Sequence, residues 1–195
     1  MTGRSRPPNR ERAAAAIHAF LDALGVELSG ELKGTPERVA SAWIDELLGG
    51  LDGDPAAVLR EGSLDLGEGP HAVVSVSAIA VSTICPHHLL PSHGFAEIAY
   101  LPSRRAAGLG AIAEAANVLA RRPTLQESLT ADIANAVMEG LSARGAACRL
   151  ELSHTCFIAR GERQPSSVVR TLSLVGTFLD VDRALALAAM RSGER

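Results

Sequence analysis

The spacing of apolar residues predicts a chain whose first third is helical and whose remainder alternates strands with helices. Apolar positions three and four apart predict helices, which we place at residues 13–24, 35–48, 109–121, 124–141 and 182–190. Stretches rich in apolar and β-branched residues predict strands, at residues 72–81, 94–101, 147–158 and 168–179. Strands paired locally favour an antiparallel sheet with the two central helices on one face. The predicted fold class is therefore α+β.

The chain of 195 residues suits one domain with a small N-terminal appendage. Residues 1–10 are rich in Arg, Pro and Asn, which is typical of a disordered tail. We expect an N-terminal helical region over residues 11–68 and a catalytic domain over residues 69–195. In the helix at 35–48, Thr35 is the expected N-cap and Pro36 fits the first turn.

Composition narrows the possible classes of function. The formal net charge is -3, so the chain as a whole does not attract nucleic acid or an anionic membrane. No apolar run approaches the roughly 18 residues of a membrane-spanning helix. The basic, polar N-terminus lacks the apolar centre of a secretory signal, so we expect a cytoplasmic protein. The 3 cysteines argue against a disulfide framework and favour metal binding or burial.

Two short segments carry residues typical of a metal site: Cys85-Pro86-His87-His88 at a strand end, and His154-Thr155-Cys156 within the predicted strand 147–158. Side chains two apart on a strand share a face, so His154 and Cys156 are expected to project together. Zinc prefers Cys sulfur and His nitrogen, and a catalytic zinc keeps one position for water. Cys85, His88 and Cys156 supply three ligands, while His154 is either a fourth ligand or a free base. The alternative is that these are ordinary packed cysteines and histidines.

The third cysteine is expected to take no part in this site. Cys148 has the same strand parity as Cys156 but lies eight residues earlier. In a regular strand that separation is about 26 Å, which is too far for a shared metal ion.

The segment Thr124-Leu125-Gln126-Glu127 has two interpretations. Thr-x-x-Glu at a helix start is a capping box, and the residues alone favour this use of Glu127. Gln126 and Glu127 are alternatively a donor and acceptor pair for the edge of an amide-containing heterocycle. Arg160, just after the second segment, suits phosphate recognition, although a solvated charge explains it as well. Arg38 by itself is an exposed helix residue.

Taken together, these segments resemble the GTP cyclohydrolase I family, in that family's order and spacing, over about residues 33–178. The matching stretches are Thr35-Pro36-Glu37-Arg38-Val39-Ala40, Ser82-Thr83-Ile84-Cys85-Pro86-His87-His88-Leu89, Tyr100-Leu101-Pro102, Gly108-Leu109, Arg122-Pro123-Thr124-Leu125-Gln126-Glu127-Ser128-Leu129-Thr130, His154-Thr155-Cys156, Ala159-Arg160-Gly161 and Thr171-Leu172-Ser173. The resemblance implies the tunnelling fold, an antiparallel sheet with helices on one face. It also implies a homo-oligomer, commonly a decamer of two stacked pentamers, with active sites between subunits.

The resemblance implies a role for each candidate residue. The implied zinc ligands are Cys85, His88 and Cys156, and the implied proton-transfer residues are His87 and His154. Glu127, with Gln126, is expected to anchor the guanine ring, while Arg160 and a neighbouring subunit's Arg38 are expected to contact the triphosphate. The implied reaction opens the imidazole ring of GTP at C8, releases formate and gives 7,8-dihydroneopterin triphosphate.

One segment departs from the family pattern. The family usually follows Gly-Leu with Ser-Lys and then an Arg that hold the triphosphate, whereas this chain has Gly110, Ala111 and Glu114 there. Arg104 and Arg105 just upstream are possible substitutes for the lost cations. Pro86 also replaces a usual Glu. Three hypotheses therefore stand: a GTP cyclohydrolase I, a paralogue acting on a guanine nucleotide or nucleoside with fewer phosphates, and a non-catalytic oligomer that binds a pterin or purine.

Overall fold

The computed structural model describes residues 4–190. The helices are α1 (Arg10–Ala23), α2 (Thr35–Ser41), α3 (Pro55–Glu61), α4 (Leu109–Ala120), α5 (Gln126–Leu141), α6 (Thr155–Ile158) and α7 (Arg183–Ala189). The strands are β1 (Ser63–Asp65), β2 (Val74–Ile84), β3 (Pro91–Leu101), β4 (Arg105–Ala107), β5 (Gly145–His154) and β6 (Val169–Gly176). Short 3-10 turns lie at Gly30–Leu32 and Thr177–Leu179, and a π-helical turn at Ala42–Leu47 continues α2. None of the helices within residues 4–190 is long and apolar enough to cross a membrane.

Four strands form the main sheet in the order β2-β3-β5-β6, and every neighbouring pair is antiparallel. Strands β1 and β4 form a separate small antiparallel pair. The register places Ser92, near the start of β3, opposite His154 at the end of β5. The ends of β2 and β5 and the start of β3 therefore meet at one edge of the sheet.

Apolar side chains cover both faces of this sheet, to different extents. The larger core lies between the sheet and helices α4 and α5, where Ile98 and Tyr100 of β3 pack with Ile133 of α5. A smaller cluster on the opposite face joins Ala99 and Phe178 to residues of α7. The predicted α+β class is confirmed, with α7 as an addition that covers part of the second face.

Several predicted element boundaries were wrong. The predicted strand 147–158 ends at His154, and the chain then turns into α6, so Cys156 is not in a strand. The long central helix begins at Gln126, and its N-cap residue Leu125 makes no side-chain capping bond. Thr35 is the first residue of α2 and not its cap, because Gly34 holds the capping position with a φ of 75°, which suits glycine.

The predicted disordered tail covers residues 1–10, of which residues 1–3 lie outside the described range. The Arg4 side chain forms an ion pair with Asp52 at 2.7 Å and donates to the carbonyl oxygens of Ile44 and Leu48. Helix α1 begins at Arg10, and Asn9 caps it by accepting a hydrogen bond from the Arg12 amide. Residues 191–195 of the expected catalytic domain likewise lie outside the described range.

Candidate metal centre and active site

Three side chains predicted from separate segments come together at the sheet edge. The ligand atoms of Cys85, His88 and Cys156 all lie within 4.8 Å of one another. The Cys85 Sγ and His88 Nδ1 atoms are 3.7 Å apart. Zn–S and Zn–N bonds of about 2.3 and 2.05 Å at a tetrahedral angle would separate sulfur and nitrogen by about 3.6 Å. The donor set and its spacing therefore fit a zinc ion.

The turn between β2 and β3 positions the first two of these residues. The Cys85 amide donates to the Leu90 carbonyl at 3.0 Å, and the Leu89 amide donates to the Cys85 carbonyl at 2.9 Å. Leu89 adopts a φ of 54° to close the turn. Because one helix-like turn separates Cys85 from His88, their side chains are brought to the same side of the loop.

Cys156 reaches the site by a different route from the predicted one. Strand β5 ends at His154, and Cys156 lies in the first turn of α6. The reversal of the chain at the strand end, and not strand parity, brings the Cys156 thiol to Cys85. Burial and the neighbouring Cys85 thiol raise the pKa of Cys156, while Arg160 opposes this effect. A coordinated metal would overcome this tendency, since metal coordination deprotonates a thiol.

The other cysteine is remote from the site, in agreement with the prediction. Cys148 is fully buried in β5, opposite Ile98, and belongs to the main core. Burial in this apolar surrounding raises the pKa of its thiol far above the usual range. Cys148 is therefore a packing residue.

Both ring nitrogens of His154 are hydrogen-bonded within the chain. Nδ1 lies 2.9 Å from the Ser92 Oγ, and Nε2 lies 2.7 Å from the Gln126 Oε1. Burial lowers the pKa of this half-buried histidine, and the Glu127 carboxylate acts in the opposite direction. His154 is thus held at a fixed orientation beside the three metal-ligand candidates. Its nitrogen bonds are to Ser92 and Gln126, so it is not part of the clustered ligand set.

The Gln126 side chain is only 2% exposed and is occupied by contacts inside the chain. Its Nε2 lies 2.9 Å from the Val169 carbonyl, 3.1 Å from the Thr171 hydroxyl and 3.3 Å from the Leu150 carbonyl. Because these neighbours are acceptors, the amide nitrogen faces them and the amide oxygen faces His154. The Gln126 amide nitrogen, which was expected to donate to the ring edge of a ligand, therefore donates to other residues of the chain.

A pocket of about 250 Å³ opens next to the three clustered residues. Its walls include the three clustered residues, and His87, His154 and Glu127 also line it. Glu127 is exposed in the first turn of α5, and no capping bond from its side chain is formed. The Thr124 hydroxyl donates to the Leu125 carbonyl instead of capping the helix. The capping-box interpretation was therefore wrong, and the Glu127 carboxylate faces the pocket.

The two candidate phosphate-binding arginines do not line this pocket. Arg160 is exposed after α6, close enough to Cys156 to oppose the rise in the pKa of that thiol. Arg38 donates to the carbonyl oxygens of Lys33 and Glu31 and to the Thr35 hydroxyl. Its side chain is therefore engaged within the N-terminal region of its own chain.

The segment that departs from the family pattern lies at the other end of the sheet. The Gly108 amide before α4 donates to the Gly62 carbonyl, and the Ala107 amide donates to the Tyr100 hydroxyl. Tyr100 lies eight positions along β3 from Ser92, which is beside the pocket, and this distance corresponds to about 26 Å. Arg104 forms a bidentate ion pair with Asp65. Within one chain, neither the start of α4 nor Arg104 reaches the pocket.

Comparisons with known proteins decide the family. The model of the family described as GTP cyclohydrolase I matches residues 13–191. The chain belongs to the GTP cyclohydrolase I family. It is 41% identical over 176 residues to the GTP cyclohydrolase 1 of Streptococcus pyogenes serotype M49, covering 87% of each chain. It is 40% identical over 173 residues to the Corynebacterium glutamicum (strain R) protein of that name, covering 87% of this chain and 86% of that one.

The family membership confirms the prediction of a GTP cyclohydrolase I-like hydrolase with the tunnelling fold. A solved structure, archaeosine synthase QueF-Like in the apo form, also aligns with the chain at 12% identity. The alignment covers 55% of this chain and 97% of that one, with a TM-score of 0.44.

Ser92 is a residue of the site that its sequence context did not indicate. Ser92 is 1% exposed and bonds His154, yet it stands 62 residues away along the chain. Only the β3–β5 register, which pairs these two positions, would have indicated the contact.

Proposed function

We propose that this protein is a zinc-dependent GTP cyclohydrolase I that opens the imidazole ring of GTP at C8. It releases formate and forms 7,8-dihydroneopterin triphosphate. The observation that carries this proposal is the Cys85, His88 and Cys156 cluster, whose ligand atoms lie within 4.8 Å of one another in the wall of a pocket shared with two further histidines.

Cys85, His88 and Cys156 would hold the zinc ion, and a three-residue set leaves one tetrahedral position open. Zinc bound there would supply Lewis-acid activation of water near neutral pH. Replacing Cys156 with Ala should remove both the metal and the activity, while Cys148→Ala, far from the site, should keep both. A zinc-loaded and active Cys156→Ala protein would contradict the ligand assignment.

His87 and His154 are the proposed proton-transfer residues. Ring opening and reclosure require several proton transfers, and histidine titrates in the right range for them. Both side chains line the pocket. His154 is fixed at both nitrogens, whereas His87 is exposed in the turn that carries His88 and contacts the His88 ring edge to face, with centroids 6.3 Å apart.

Glu127 is the proposed anchor for the guanine ring. Its exposed carboxylate at the pocket accepts hydrogen bonds, which suits the N–H edge of guanine. Gln126 belongs to the same site through its bond to His154. Glu127→Gln should raise the KM for GTP by about tenfold, because a charge-assisted bond is lost, and should leave the zinc content unchanged. Glu139→Gln, at an exposed position near the other end of the same helix, is the matched control and should not change the KM.

The proposed active site requires more than one copy of the chain. Arg38 and the start of α4 do not reach the pocket of their own chain, and the main sheet ends in β2 and β6, each paired on one side only in the described residues. Exposed apolar residues on β3 and β6, Phe95 and Leu172, suit burial between subunits. We therefore propose a homo-oligomer, a decamer in the family pattern, in which Arg38 of a neighbouring subunit and Arg160 contact the triphosphate.

A second candidate function is ring opening of a guanine nucleotide or nucleoside with fewer phosphates. The segment that contains Gly110, Ala111 and Glu114 favours this function, because it holds no cationic side chain that could bind a polyphosphate. Arg104 does not restore the charge, since Asp65 neutralises it.

Incubation of the zinc-loaded protein with GTP, GMP and guanosine separates the candidates, with formate release and pterin fluorescence as readouts. Turnover of GTP alone supports the first function. Turnover of GMP or guanosine in preference to GTP supports the second. Binding without turnover of any of them supports a non-catalytic oligomer and overturns both.

A further inference from the structure

We propose that Ser92 is a positioning residue for His154, whose hydroxyl donates to Nδ1 and so holds the ring with a proton on Nε2. The consequence for catalysis rests on the proposed function, whereas the hydrogen-bonding arrangement does not. Ser92 is 1% exposed, and its Oγ lies 2.9 Å from His154 Nδ1. No other side-chain partner of this hydroxyl is found within residues 4–190.

The direction of the bond follows from Gln126 on the other side of the ring. The Gln126 Nε2 faces the carbonyl oxygens of Val169 and Leu150, so the amide oxygen must face His154. An oxygen without a hydrogen accepts only, so the His154 Nε2 at 2.7 Å carries a proton. A neutral imidazole has one N–H and one lone pair. The Nδ1 atom therefore presents the lone pair, and the Ser92 hydroxyl donates to it.

The two bonds together also fix the ring orientation. A rotation of the His154 ring by half a turn would place carbon atoms opposite Ser92 and Gln126, and both bonds would be lost. Gln126 alone would leave the Nδ1 atom of the half-buried ring without a protein partner, which is costly for a polar atom that water reaches poorly. Ser92 satisfies that atom because the β3–β5 register sets it directly across from His154. The hydroxyl thus acts on the reaction through the histidine and does not itself contact the metal ligands.

The kinetic test compares Ser92→Ala, Ser92→Thr and Ser153→Ala. Ser92→Ala removes the hydroxyl. We expect kcat to fall about tenfold or more, because His154 is no longer held in one orientation. The KM and the zinc content should stay close to those of the wild type. Ser92→Thr keeps the hydroxyl and should recover most of kcat. Ser153, next to His154 on β5, has its register partner at His93 on the other face of the sheet. Ser153→Ala is therefore the matched control and should keep the wild-type kcat.

A spectroscopic test does not depend on activity. Solid-state NMR of protein labelled with ¹⁵N-histidine, with His154 assigned through His154→Gln, reports which ring nitrogen is protonated. We expect Nε2 to be the protonated nitrogen in the wild type. The Nδ1 resonance should move in Ser92→Ala but not in Ser153→Ala, because the hydrogen bond to its lone pair is lost.

Three results would overturn the inference. They are a wild-type His154 protonated on Nδ1, a Ser92→Ala protein with wild-type kcat, and a folded, zinc-loaded Ser92→Thr protein as slow as Ser92→Ala. The last result would indicate packing volume and not the hydroxyl. If the wild type opens no purine ring, the proposed function fails, and the NMR measurement alone decides the role of Ser92.

Discussion

Replacement of Gln126 by Met tests whether this residue organises the interior of the site. Methionine has a similar length but neither donates nor accepts a strong hydrogen bond. The change would leave the Val169 carbonyl, the Thr171 hydroxyl and the His154 Nε2 without their present partner. The side chain is 2% exposed, so water does not readily replace the amide.

The magnitude follows from the number of partners lost. The two hydrogens of the amide nitrogen satisfy acceptors that are at least partly buried, at about 1 to 2 kcal/mol apiece, so we expect a loss of about 2 to 4 kcal/mol in the free energy of unfolding. For a chain of this size that corresponds to a fall in melting temperature of about 5 to 15 °C. Because His154 also loses its Nε2 partner, kcat should fall as well.

The assay is thermal unfolding followed by circular dichroism, at equal protein concentration and zinc content. Gln164→Met is the matched control, because Gln164 is exposed and its side-chain amide donates, among residues 4–190, only to the nearby Glu162 carbonyl. It should melt within about 2 °C of the wild type. If Gln126→Met melts no lower than Gln164→Met, the side chain does not hold the site together and its amide is available to a ligand.

Further predictions concern cysteines and carboxyl groups whose pKa the fold shifts. Cys148 is fully buried and its pKa is raised, so iodoacetamide at about pH 8 should leave it unmodified in the folded protein. Cys156 is partly exposed, so it should react after zinc removal and be protected by zinc, as peptide mass spectrometry would reveal. Burial raises the pKa of Glu97 more than Arg149 lowers it, so this carboxyl favours folding only while protonated. Glu97→Gln should therefore gain melting temperature relative to the wild type between about pH 4 and pH 7. The hydrogen bond from Arg170 lowers the pKa of Glu151, so the stabilisation by this carboxylate is lost only as the pH falls below the ordinary Glu range. Glu151→Gln should therefore lose melting temperature relative to the wild type as the pH rises from about 2.5 to about 5, with little further change above that; equal pH responses of the two variants would contradict this sign.

Much of the fold was predictable because the apolar spacing is regular. The helix at Leu109–Ala120 and the four strands of the main sheet lie close to their predicted positions. The irregular turns were not predictable in this way. The end of β5 at His154 and the helical turn that carries Cys156 depend on packing against β3, which local composition does not encode.

The candidate site, like the fold, was predictable from the sequence only in part. The residue types of Cys85, His88 and Cys156 indicated a metal site because sulfur and nitrogen ligands suit zinc, and the structure brings them together. The contacts of Gln126 and Ser92 with His154 join residues that are far apart in sequence. The Ser92 contact follows from the β3–β5 register, and the Gln126 contact follows from the packing of α5 on the sheet. A single sequence fixes neither. The capping-box pattern at Thr124 misled because the helix begins two residues later than expected.

The fate of the C8 atom of the purine tests zinc-dependent ring opening of GTP most directly. GTP labelled with ¹³C at C8 is incubated with zinc-loaded wild-type protein and with Cys156→Ala, and the label is followed by NMR. We expect the wild type to transfer the label to formate, in equal amount to the 7,8-dihydroneopterin triphosphate formed, and Cys156→Ala not to do so. Retention of the label in the purine by the zinc-loaded wild type, or formate release by metal-free Cys156→Ala, would contradict this expectation.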